Sequence, residues 1–182
     1  MTQLSCFSDE EIKLIVSLPY RVGMNISYAD DEEGERDDER EMRALEACVS
    51  EVAKHQEGDS LTKEVAQKIL DSKSEWSLWS QGVFNIEPLC EKSVLALKSH
   101  ASDDEIRDYI KMVIEIATTV AEAYGEFGEE EEPDKGFFAK AASKIAGRFA
   151  GMADDDANHP MNVSASEDDA ISSIVNALKK NI

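Results

Sequence analysis

At 182 residues with three cysteines, the chain suits one domain, which at this size buries roughly 70% of its unfolded surface and needs no disulfide scaffold. Thirty-nine acidic residues against nineteen basic ones give a formal net charge of −20, which repels phosphate backbones and excludes nucleic acid as an expected partner. Nowhere do about 18 apolar residues stand together, and no basic stretch leads into an apolar run at the amino terminus, so the expectation is a soluble, cytoplasmic protein with no membrane span.

The first element opens on a capping box, Ser8 with Glu11, followed by Ile12, Ile15, Val16, Val22 and Ile26 at helical spacing. Pro19 falls inside this run. The apolar phase continues across it, which leaves either one kinked helix or two helices abutting at "LPYRVG".

An acidic stretch then interrupts the pattern. Nine carboxylates and two arginines lie between Ala29 and Glu41, a net charge of −7, before Met42, Leu45, Cys48, Val49 and Val52 mark a long helix to about His55. Ser60 caps the next helix, with Leu61, Val65, Ile69 and Leu70 inward, and a short segment carrying Trp76 and Trp79 follows. The two tryptophans fit either peripheral core or a partner-binding patch.

Ile86, Leu89, Cys90, Val94 and Leu97 form another apolar stripe, closing at "SHAS". A second capping box, Ser102 with Glu105, opens the cleanest 3.6-residue stripe of the chain: Ile106, Tyr109, Ile110, Val113, Ile114, Ala117, Val120, Ala121 and Tyr124. This helix is expected at the centre of the fold. "EFGEEEEPD", residues 126–134, adds six acids and no base, and Phe137, Phe138, Ala141, Ala142, Ile145 and Phe149 mark a further helix. Residues 151–166 read as linker, and a last helix in residues 167–182 carries Ile171, Ile174, Val175 and Leu178 on one face, packed on the same domain. No β-branched alternation competes, so the fold class is all-α, seven or eight helices in a single compact domain.

Sliding the chain by 94 residues places "ISYADDEEGE", residues 26–35, on "VAEAYGEFGE", residues 120–129, with four matches. Either the chain holds two pseudo-repeated helical halves or two unrelated acidic loops.

"LPYRVGMNISYAD", residues 18–30, followed by "EMRAL", residues 41–45, resembles the tellurite-resistance TerB family, in which an apolar helix ends at an Ala-Asp turn and a Glu opens the next helix. "IATTVAEAYGE", residues 116–126, resembles the second element of that family. The resemblance covers residues 10–150, most of the chain, within a helical domain at residues 1–150. It implies two helical halves around one core, a non-enzymatic role in a stress response, and an acidic surface that binds divalent cations. The turn Asp of the family falls on Asp30 and its helix-opening Glu on Glu41. Two departures stand out: the Asp-to-Glu segment is longer than the family's, and Tyr124 and Gly125 occupy the place of a second turn Asp.

Carboxylates about 4 Å apart repel by roughly 1 kcal/mol in water and about 4 at an effective dielectric near 20, so nine of them need solvent, arginine or a cation. Calcium takes six to eight oxygen ligands, and a turn with Asp30, Asp31 and Glu32 facing Glu41 offers several; magnesium is the other candidate cofactor. The segment is not an EF-hand, because Gly34 at the sixth loop position makes Ala29 the first and Arg40 the twelfth. The alternative is a solvated acidic loop whose charges favour the following helix dipole. A basic protein surface is the other partner that this charge suits.

The chain has no Gly-x-Ser-x-Gly elbow, phosphate-binding Gly-x-x-x-x-Gly-Lys loop, His-Glu-x-x-His or paired Glu-x-x-His. The competing enzyme reading is therefore a metal-dependent carboxylate site assembled from scattered residues. His55, His100 and His159 read as surface or helix-end residues, and the cysteines, with no short paired spacing, as reduced thiols.

Overall fold

The first apolar run is one helix, continuous through its proline. The computed structural model describes residues 2–29, 45–47, 49–50, 60–126 and 165–182, with residues 122–126 described by backbone alone. Helix α1 spans Asp9–Ala29 with Pro19 inside it. A proline has no N–H to give the carbonyl four residues back, here that of Ile15. The hydroxyl of Tyr109 supplies a donor instead, 2.7 Å from the Ile15 oxygen in the buried interior.

The capping box at the start of α1 forms as its sequence dictates. Ser8 donates to Glu11 Oε2 from its backbone N–H (2.9 Å) and its hydroxyl (2.7 Å), and the Glu11 N–H returns to Ser8 Oγ at 3.4 Å.

Six successive residues of α1, Ile15 to Tyr20, are buried. At about 100° per residue, six positions travel more than once round the helix, so α1 is enclosed on every side. Helices α2 (Leu61–Asp71), α3 (Trp76–Trp79), α4 (Glu87–Leu97), α5 (Asp103–Glu126) and α6 (Ala165–Lys179) all pack against it. Among the described residues α1 is thus the helix that touches every one of the helices α2 to α6, while α5, expected at the centre from its clean stripe, packs on α1, α2 and α6. A helix with one sharp apolar stripe has a polar face to leave in water, whereas a central helix is apolar around its circumference. The α5 stripe itself is buried as read at Ile106, Tyr109, Ile110, Val113, Ala117, Val120 and Ala121, with Met112 and Ile116 widening it, while Ile114 lies half-buried at its edge.

Ser60 Oγ caps α2 by accepting from the Lys63 N–H at 3.2 Å. A 3-10 turn, Lys73–Glu75, leads into α3, whose two tryptophans are buried core residues. Both face Tyr20, at ring-centroid distances of 4.7 Å for Trp76 and 5.8 Å for Trp79. Pro88 sits in the first turn of α4, where a missing N–H costs no helical bond. The second capping box opens α5, with the Ser102 N–H and hydroxyl each 2.9 Å from Glu105 Oε2. Helix α6 begins at Ala165, two residues inside the expected linker, and buries Ile174, Ala177 and Leu178 against α4, α1 and α5.

Residues 45–47 and 49–50 are helical too, with Leu45 and Val49 buried. The described residues are 81% helical and contain no strand, so the fold is all-α, with seven helices in that part of the chain. Among them no helix is long and apolar enough to cross a membrane. The rest of the Met42–His55 helix, the helix expected around Phe137–Phe149 and residues 151–164 lie outside the described residues.

Candidate site at the end of the first helix

Asp30, Asp31, Glu32 and Glu41 all lie outside the described residues. What is described is how the chain enters and leaves this stretch. It departs at Ala29, the last residue of α1, and returns with Leu45 packed against Gly23 of the same helix. Gly23 permits that approach, because a Cβ there would run into the Leu45 side chain. Gly23 and Ala29 are six helical steps apart, a rise of about 9 Å. An ion pair between Lys73 and Glu46 ties the returning segment to the 3-10 turn after α2. Both flanks of the acidic stretch are thus anchored on one rigid element.

Beside the departure point, the turn at residues 80–86 is held against α1. Arg21 donates from Nη1 to the Gln81 carbonyl (3.1 Å), Asn25 donates from Nδ2 to the Val83 carbonyl (2.9 Å), and the Tyr28 ring stacks on Phe84 with centroids 5.7 Å apart. These three residues are spaced by four and three, so they form one face of α1. Gly82 takes a positive φ of 70°, a backbone region that a side chain disfavours. Sequence reasoning passed over Arg21, Asn25 and Phe84. No signal along the sequence marks them, because the turn that Arg21 and Asn25 hold lies some sixty residues further along the chain.

The second acidic stretch begins at Glu126, where α5 ends; residues 127–134 lie outside the described residues. In the proposed repeat Ala123, which lies within α5, matches Ala29, the last described residue of α1.

Among the described residues no group of three or more His, Cys, Asp and Glu is placed to hold a metal ion. His100 is an exposed helix-end residue packed edge-on to Phe7 at 5.3 Å. Cys90 is buried, and burial first, then the charge of Glu87, pushes its thiol up to about 12, which leaves it unreactive. An open polar cleft of about 600 Å³ lies between the amino-terminal segment and α2, lined by Lys63, Glu64, Lys68 and Asp71 among others. Glu64 there accepts the Leu4 N–H at 2.7 Å, a structural tether.

Two carboxyls of α5 are perturbed in opposite directions. Glu105 is held down to about 2, first by the Ser102 N–H and then by the Thr2 N–H, which stitch residue 2 to the start of α5. Glu115 is pushed up to about 8 by burial, only partly offset by Lys111 one turn earlier. Its folded value exceeds the unfolded value of 4.5, so the native state binds the extra proton and stability falls as pH rises from about 4.5 to about 8. Glu115→Gln is therefore expected to be more stable than the native chain, by a margin that widens across that window and is constant above it. Urea titrations at pH 5, 7 and 9 measure it, and a margin independent of pH would place Glu115 in water instead.

Comparison with known proteins finds no match: no family model, no curated protein and no solved structure matches this chain.

Proposed function

We propose that the chain is a non-enzymatic, cytoplasmic helical domain of the kind the tellurite-resistance resemblance implies, binding a divalent cation or a basic partner protein through the acidic stretch after α1, in a stress response. The observation that carries this reading is the anchoring of both ends of that stretch on α1, at Ala29 and through Leu45 against Gly23. A net charge of −7 in thirteen residues is tolerable in a free chain that can spread, but closing the ends concentrates it, and a cation relieves the repulsion.

Calcium at about 100 times its dissociation constant should add roughly 2.7 kcal/mol of stability, read as a rise in unfolding temperature. Magnesium should help less, because it demands stricter octahedral geometry and sheds water reluctantly. The double change Asp30→Asn with Glu41→Gln should abolish the rise, whereas Glu130→Gln with Glu131→Gln should leave most of it. Equal loss in both pairs, with sodium at matched ionic strength giving the same shift, would identify general screening and discard the specific site.

A further inference from the structure

We infer that the outward face of α4, centred on Leu95, docks a short acidic segment of a partner protein, with carboxylates on Lys92 and Lys98 and an apolar side chain on Leu95. It is a second surface, of opposite sign to the acidic stretch on which the function proposed above depends.

In a chain with 39 acids among 182 residues, two runs, residues 92–102 and 170–182, carry four lysines and no carboxylate side chain. They are distant in sequence, and the fold brings them together. Helix α6 buries Ile174, Ala177 and Leu178 and packs on α4, and Lys180 Nζ lies 2.8 Å from Glu91 Oε1. That pair neutralises the acid one turn before Leu95. Glu91, Leu95 and Lys98 are spaced by four and three and so share a face of α4, with Lys92 on its other flank. Leu95 is 53% exposed. Lys92 and Lys98 are exposed as well, and among the described residues neither pairs with a carboxylate. Lysines at a helix C-terminus complement its dipole, which accounts for Lys98 and Lys179. It does not account for Lys92 in mid-helix or for the exposed leucine beside it.

Charge and size select the occupant. From Glu91 to Lys98 is seven helical steps, about 10 Å. A duplex or an anionic membrane would extend past so short a patch over a protein whose net charge is −20, and would be repelled. A basic partner would oppose the two ammonium groups with like charge. A second copy presenting this same face would set lysine against lysine. An acidic segment short enough to stay within the patch pairs with both ammonium groups, and at physiological salt exposed charges more than about 8 Å away are largely screened from it. Leu95 selects, among acidic segments, one with an apolar residue between its carboxylates, as on one face of an amphipathic helix.

The test uses the full chain and two short fluorescein-labelled peptides of equal charge, one of glutamate with leucine at every third or fourth position, the other with alanine in place of leucine, followed by anisotropy. The leucine peptide should bind, more weakly as salt rises, and roughly fivefold tighter than the alanine peptide. Leu95→Ala should erase that difference. Lys92→Glu with Lys98→Glu should weaken the leucine peptide at least about tenfold with an unchanged melting curve. Lys63→Glu with Lys68→Glu, the same charge change on exposed lysines of α2, should leave its binding within about twofold of the native value. No binding of the leucine peptide, binding that strengthens as salt rises, or equal loss in the two lysine pairs overturns the docking face, and none of these bears on the acidic stretch after α1. Sedimentation showing that the native chain dimerises, and that the changes at Lys92 and Lys98 dissolve the dimer, also overturns it and gives the face to a second copy.

Discussion

Tyr109→Ala is expected to destabilise the fold by about 3–5 kcal/mol, and Tyr109→Phe by about 1–3 kcal/mol. The first range is that for deleting a fully buried aromatic ring. The second isolates the hydroxyl, since phenylalanine fills the same space and leaves only the hydrogen bond unmade. That bond is exceptional because of Pro19: the Ile15 carbonyl lacks its helical donor, so without the Tyr109 hydroxyl at 2.7 Å it would be buried with no replacement for that donor. The explanation makes a sharper demand than the single substitutions do. In a Pro19→Ala background the residue-19 N–H is restored to the Ile15 carbonyl, and Tyr109→Phe should then cost at least about 1 kcal/mol less. Urea denaturation of the four chains in this cycle gives the coupling directly, and equal costs in both backgrounds would reject the link between the proline and the tyrosine.

Trp76→Ala should cost about 3–5 kcal/mol, whereas Trp76→Phe should cost no more than about 1.5 kcal/mol beyond the loss of ring area. Trp76 packs at 4.7 Å against Tyr20 of α1, and its indole Nε1–H donates to the Ile69 carbonyl at 3.1 Å. The Ile69 carbonyl also accepts the Ser72 N–H at 3.1 Å, so phenylalanine leaves it bonded. Ring contact, and not the hydrogen bond, is thus expected to dominate at this position, the reverse of the balance in the phenylalanine variant of Tyr109. A cost for Trp76→Ala within ~0.5 kcal/mol of zero would mean that α3 is a detachable surface turn rather than core.

Much of this architecture is legible without coordinates, because it rests on contacts three or four residues apart. Both capping boxes, the Ser60 cap and the inward faces of α2, α4 and α5 follow from spacing and side-chain chemistry along one segment. The candidate site is legible only as a concentration of charge. Its aromatic border is not, since nothing local in residues 80–86 says that Arg21, Asn25 and Tyr28, some sixty residues earlier, will grip that turn.

By itself, then, the sequence determined the all-α class, the starts of the principal helices and the strongly acidic character that governs what this protein can approach. These depend on backbone capping, hydrophobic period and summed charge, all properties of neighbours along the chain. Only the tertiary structure decided that α1 touches every one of the helices α2 to α6, that a proline can lie inside it, and that the flanks of the acidic stretch meet one helix. Amphipathic period reports that a helix has a buried side but not how many partners enclose it, and a carbonyl orphaned by proline is satisfied here by a hydroxyl ninety-four residues away.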